Sequence, residues 1–173
     1  MDGTTVSGLD ERGAKGYPDV ARRAFLHALA SPTAWNNFTA PKVYALVDYD
    51  PDGICILSTY KYGSAALKHE NIGLAVDKIQ WIGLNSYQAI SAQGSNNYQE
   101  MIVLSQRDRG KAKWMLISDV CGEDGLEPRW RRELQVMLIL NLKAEVQIWD
   151  SANEGLSDWL LARLLRPDNE CLQ

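Results

Sequence analysis

The sequence predicts an α/β fold, a doubly wound and mostly parallel sheet with a helical carboxyl-terminal part, and two observations carry that expectation. Short apolar, β-rich runs at residues 43–47 and 78–84 alternate with stretches of helical character, the pattern of parallel strands joined by crossover helices. Beyond residue 105 the apolar residues recur at helical spacing instead. With 173 residues the chain is long enough for one domain with a sizeable core.

Composition excludes several classes of protein. Hydrophobic residues make up 46% of the chain, yet no apolar run approaches the ~18 residues that suggest a membrane span. Residues 1–13 are polar and lack the apolar core of a secretory signal. Cys55, Cys121 and Cys171 are odd in number and have no metal-ligand spacing, which predicts reduced thiols in a reducing compartment. His27 and His69 have no Cys or His at ligand spacing and read as surface or core histidines. A net charge of −4 disfavours an autonomous nucleic-acid binder. Basic residues nevertheless gather at Arg22 and Arg23, at Arg107, Arg109, Lys111 and Lys113, and at Arg129, Arg131 and Arg132. Such groups can touch phosphates, although solvated helix faces explain most of them singly.

Taken in order, Pro18 and Asp19 suit the first turn of a helix with the stripe Val20, Ala24, Phe25, Ala28 and Leu29, ending before Ser31 and Pro32. A polar stretch, 33–39, leads to Val43, Tyr44, Ala45, Leu46 and Val47, a run expected to be a strand buried on both faces. A helix over 54–62 should follow, with Ile54 and Leu57 on one side and Ile56 and Tyr60 nearby. Ile79, Trp81 and Ile82 predict a second strand within 78–84. The Ser-, Asn- and Gln-rich residues 85–100 read as a long surface loop. Ser105 and Asp108 have the spacing of a cap and third-position acid, opening a helix with Ala112, Met115 and Leu116 inward and broken at 122–125. Pro128 begins the strongest helical pattern, Trp130, Leu134, Met137, Leu138 and Asn141. Leu156, Trp159, Leu160 and Leu164 form a last amphipathic helix before Pro167.

The chemistry concentrates where the first strand ends, in Asp48, Tyr49, Asp50, Pro51, Asp52 and Gly53. Residues two apart on extended backbone face the same side, so Asp48 and Asp50 can enter one crevice at a strand's carboxyl end, where open α/β sheets bind ligands. Two carboxylates ~4 Å apart repel by about 4 kcal/mol at an effective dielectric of 20, which favours a cation between them. Their hard oxygens suit Mg²⁺ held by one or two carboxylates, water and phosphate. Gly53 lets the backbone turn closely. A calcium loop of the form D-x-D-x-D-G needs a bidentate Glu at its twelfth position, which is Thr59 here, and a strand leads in. A phosphotransfer site with Asp48 as nucleophile finds no other support. Taken alone, the motif stands level with a solvated acidic turn.

The wider wording resembles the family of the A subunit of topoisomerase VI and its eukaryotic relatives, the meiotic double-strand-break proteins. Their TOPRIM domain carries a D-x-D-P-x-G strand end followed by I-Y-K-Y-G-S. The matching residues are Val47, Asp48, Tyr49, Asp50, Pro51, Asp52 and Gly53, and then Tyr60, Lys61, Tyr62, Gly63 and Ser64. Further family wording recurs from Lys15 through Gly16, Tyr17, Pro18 and Asp19 to Ala21, at Trp81, Ile82, Gly83 and Leu84, from Trp130 to Leu138, and at Lys143, Ala144 and Glu145. The blocks fall in family order over roughly residues 15–165.

The resemblance implies a TOPRIM-like fold in which 15–100 are a partial TOPRIM domain and 101–166 its helical carboxyl-terminal part. Residues 1–14 are expected to be disordered and 167–173 to be a tail. It further implies an ATP-linked, topoisomerase-type enzyme that cuts both DNA strands by tyrosine attack, with TOPRIM acids holding Mg²⁺ near the scissile phosphate. Asp48 and Asp50 take the metal positions, Asp52 is a possible third ligand, and Lys15, Arg131 and Arg132 are the DNA-contact candidates. The implied partners are DNA, a second copy of the chain and a B subunit of the ATPase type, without a membrane, and the nucleus is the implied location.

The chain departs from the family pattern in two places. The nucleophilic Tyr belongs to an upstream winged helix in an Arg-Asp-x-Tyr-Tyr setting that does not occur here, and the first TOPRIM strand with its catalytic Glu has only Glu11 as a poor substitute. The expectation is therefore a carboxyl-terminal fragment that is inactive alone, with no catalytic residue of its own; Tyr60 and Tyr62 read as packing residues. The alternative is a noncatalytic DNA-binding or dimerisation module derived from the same family.

Overall fold

A computed structural model describes residues 18–64, 73–87, 101–149 and 155–165. Its elements are α1 (Val20–Ala30), β1 (Tyr44–Ala45), α2 (Pro51–Tyr62), β2 (Gln80–Trp81), β3 (Met101–Val103), α3 (Gln106–Met115), α4 (Pro128–Leu140), β4 (Leu142–Ala144) and α5 (Gly155–Leu165). Short 3-10 turns lie at Ala34–Asn36 and Val146–Trp149. The chain divides into two compact units, Met1–Lys42 with Ser58–Asp77, and Val43–Leu57 with Lys78–Gln173. Among the described residues no helix is long and apolar enough to cross a membrane.

In the first unit α1 starts at Val20, so Pro18 and Asp19, expected in its first turn, precede it. Asp19 caps it, accepting the N–H of Arg22 on Oδ1 at 2.7 Å, and extended backbone at Ser31 ends it. The expected apolar stripe, however, does not face inward. Phe25 is 65% exposed and Leu29 54%, whereas Arg23 is buried and His27 places Nδ1 2.8 Å from the carbonyl oxygen of Ala75. Periodicity found the helix but not its buried face, because the partner that draws His27 inward is a backbone carbonyl 48 residues away. His69 lies outside the described residues.

The second unit has an α/β architecture. β1 and β2 pair in parallel, Tyr44 with Gln80 and Ala45 with Trp81, and the ladder extends through Gln80 N–H to Val43 O and Ile82 N–H to Ala45 O. The strand is shorter and less buried than the apolar run suggested: Tyr44 and Ala45 are half-buried and Leu46 is exposed. Tyr49 leaves this pair and exchanges both backbone hydrogen bonds with Ala144, at 2.9 and 3.1 Å. Ala144 also faces Met101, since β3 and β4 pair antiparallel in the register Met101 with Ala144, Ile102 with Lys143 and Val103 with Leu142. These two strands lie in a stretch expected to be helical. Each is three residues long, too short for alternation to stand out against the helices beside it.

The helices behave as their caps predict. Ser105 and Asp108 form a reciprocal capping box on α3, with Ala112 and Met115 buried; that helix ends at Met115, ahead of the expected break at 122–125. Pro128 opens α4, which buries Trp130, Glu133, Leu134 and Met137. Asn141, expected in the stripe, instead ends the helix in left-handed backbone and donates its N–H to Met137 O. On α5, Trp159 is buried but Leu164 is exposed. The surface loop expected at 85–100 falls mostly outside the described residues, as do 1–14 and 167–173.

Candidate metal centre

The acidic segment leaves β1, makes its bridge to Ala144 at Tyr49 and enters α2 at Pro51. Tyr49 is the pivot. Its side chain is only 1% exposed, and its hydroxyl is pushed well above the ordinary tyrosine range by burial and by the neighbouring carboxylate of Glu133. Glu133 is itself buried and accepts the N–H of Ser86 at 2.7 Å and its hydroxyl at 3.3 Å. With Tyr49 turned into the core, the alternation of extended backbone sends Asp48 and Asp50 the other way.

Both aspartates meet the segment that follows β3 and α4. Oδ1 of Asp48 accepts the N–H of Val146 at 2.8 Å, at the start of a 3-10 turn. Oδ1 of Asp50 accepts the N–H of Gly53 at 2.6 Å, and Oδ2 lies 4.0 Å from Nζ of Lys143. Burial raises the pKa of Asp50; the charges of Asp52 and Asp48 push the same way, while the Gly53 N–H and Lys143 oppose them. Gly53 has no room for a side chain: a Cβ there would fall 2.5 Å from the carbonyl oxygen of Asp48 and 3.2 Å from Oδ1 of Asp50. Gly83 is held likewise, its Cβ position lying 2.5 Å from the carbonyl oxygen of Val47 and 2.5 Å from Trp81 Nε1.

Two lysines compensate the acidic loop. Lys111 of α3 pairs with Asp52, in the first turn of α2. Lys143 of β4 lies 3.1 Å from Oδ2 of Asp108 as well as near Asp50. Burial works against charge on both Lys143 and Asp108. Hydrogen bonding and opposite charge win nonetheless: Ser105 N–H and then Lys143 lower the aspartate pKa, and Asp108 raises the lysine pKa. Sequence reasoning noted Lys111 only among basic residues available to phosphate and Lys143 only within a motif block. Their contacts with the acids of the loop join distant parts of the chain, 59 residues apart for Lys111 and Asp52.

Of the phosphate-contact candidates, Arg132 is exposed on α4, whereas Arg131 donates from Nη1 to the carbonyl oxygens of Leu116 and Cys121, each at 3.0 Å. Arg109 likewise donates to Leu104 O and Asn141 Oδ1. Lys15 lies outside the described residues.

The donor set fits a hard divalent cation. Asp48 and Asp50 each have one oxygen engaged by a backbone N–H and a second carboxylate oxygen, and burial first, with the charges of Asp52 and Asp48 adding to it, disfavours ionised Asp50. Among the described residues no group of three or more His, Cys, Asp or Glu forms a ready-made metal cluster. One or two carboxylates are the share a protein commonly gives to a Mg²⁺ shell, with water and phosphate oxygens completing it.

Residues 13–163 match the family model for the Toprim domain of the topoisomerase 6 A subunit and Spo11. The chain is 32% identical over 156 residues to meiotic recombination protein SPO11-2 of Oryza sativa subsp. indica, covering 90% of this chain and 37% of the relative. It is 33% identical over 156 residues to meiotic recombination protein SPO11 of Homo sapiens, covering 89% and 35%. The chain therefore spans just over a third of the length of these curated relatives.

Proposed function

Because this chain belongs to the Toprim family of Spo11 and the topoisomerase 6 A subunit, we propose that it is the metal-holding part of an enzyme that makes DNA double-strand breaks in meiotic recombination. The observation that supports the reading is the pair Asp48 and Asp50, which follow the parallel strand β1 and accept the N–H groups of Val146 and Gly53. A bound Mg²⁺ would supply positive charge beside the scissile phosphate, stabilising the charge that develops when the strand is cut.

The protein's own contribution is preorganisation. Asp48 and Asp50 would hold the ion, Gly53 leaves room for the close approach of the Asp48 carbonyl, and Asp52, paired with Lys111, is a possible third carboxylate. Arg132, exposed on α4, is a candidate to meet a DNA phosphate, with Arg131 and Lys15 as the further candidates from the family resemblance. On the same reading duplex DNA is the substrate, the partners are a second copy of the chain and an ATPase-type protein, and the nucleus is the place of action.

The test is Mn²⁺ binding to the full chain, followed by electron paramagnetic resonance of the free ion. Asp50→Asn keeps an acceptor for the Gly53 N–H while removing the charge, and should weaken binding by at least about tenfold, as should Asp48→Asn. Binding unchanged in both variants would refute the assignment.

A further inference from the structure

We propose that Lys143 is a resident counter-charge that sets how tightly the acidic loop holds a divalent cation, with Asp108 as the seat to which the ammonium withdraws. This rests on the reading of Asp48 and Asp50 as the metal-holding pair.

The geometry is asymmetric. Nζ of Lys143 lies 3.1 Å from Oδ2 of Asp108 but 4.0 Å from Oδ2 of Asp50, so one ammonium serves two carboxylates with unequal contact. Asp108 is a rigid seat, because its Oδ2 accepts the Ser105 N–H at 2.9 Å and its own N–H donates to Ser105 Oγ at 3.1 Å. Lys143 is fixed from behind by the β3–β4 ladder, opposite Ile102. The three side chains are only 22% (Lys143), 16% (Asp50) and 6% (Asp108) exposed, so water screens their interactions weakly.

A divalent ion arriving at Asp50 meets the positive charge of Lys143. The lysine can release Asp50 without becoming unpaired, since Asp108 keeps it. Lys143 thus weakens cation binding and Asp108 offsets that effect by holding the ammonium away from Asp50. In the absence of metal the same lysine relieves the repulsion among Asp48, Asp50 and Asp52. Lys111 acts on Asp52 from another element and is left intact in the test.

The two roles give opposite signs. In the full chain with Mn²⁺ as probe at fixed ionic strength, Lys143→Met should bind about fivefold more tightly and Asp108→Asn about fivefold more weakly. The double variant should return to within about twofold of the parent, and Lys143→Arg should match it to the same degree. A pair serving only to hold the fold would weaken binding in both single variants. Circular dichroism melting confirms folding, and Lys143→Gln replaces the methionine variant if the latter does not melt cooperatively. Single variants that shift in the same direction, or a lysine variant that leaves binding unchanged, overturn the inference. Asp50→Asn separates the two claims. If Mn²⁺ binding is unchanged there and in Asp48→Asn, the metal reading falls and the counter-charge with it; if binding weakens there but is indifferent to Lys143, the counter-charge alone falls.

Discussion

Oδ1 of Asp48 accepts the backbone N–H of Val146 at 2.8 Å, tying the acidic loop to a turn 98 residues further along the chain. The bond orients one carboxylate oxygen and satisfies an amide at the start of a 3-10 turn, a position where an anion is favoured.

From this contact, Asp48→Ala should cost the metal-free chain about 1–2 kcal/mol, because it leaves the Val146 N–H without its acceptor. Asp48→Asn retains a carbonyl oxygen and should lose less than half as much. Urea unfolding followed by tryptophan fluorescence measures both, and equal losses in the two variants would show that the Val146 bond does not matter.

Gly53→Ala should be worse than its one added methyl suggests. The new Cβ would meet the backbone oxygen of Asp48, which cannot swing aside as a flexible side chain can. The loop must shift, at about 1–3 kcal/mol, and the two aspartates should lose their alignment together. Unfolding and Mn²⁺ titrations on the same sample should change in concert; a variant with parental stability and affinity would show that the loop has slack there.

Cys121 supplies a prediction about pH. Its side chain is fully buried, and its thiol is pushed up from 9.0 to about 12, chiefly by burial. The unfolded chain releases this proton more readily, so the folded state binds more protons between those values and stability must fall as pH rises through that window. Cys121→Ala should flatten the decline. Native chain near neutral pH should also resist iodoacetamide at Cys121 until urea is added, as peptide mass spectrometry can follow; rapid native labelling there would contradict the burial.

What the amino-acid sequence determined by itself is local or motif-borne. The helix start near Asp19, the box formed by Ser105 and Asp108, Pro128 at a helix start and the carboxylates spaced two apart all act through near neighbours in the chain, so their signals survive in the linear order. The family wording added identity. Tertiary structure alone decided which side of α1 is buried, that residues 101–103 and 142–144 pair as strands, and that Lys111 and Lys143 turn toward acids rather than outward. Each of these depends on a partner tens of residues away, whose approach is set by the packing of whole elements, and no local pattern of polarity records it.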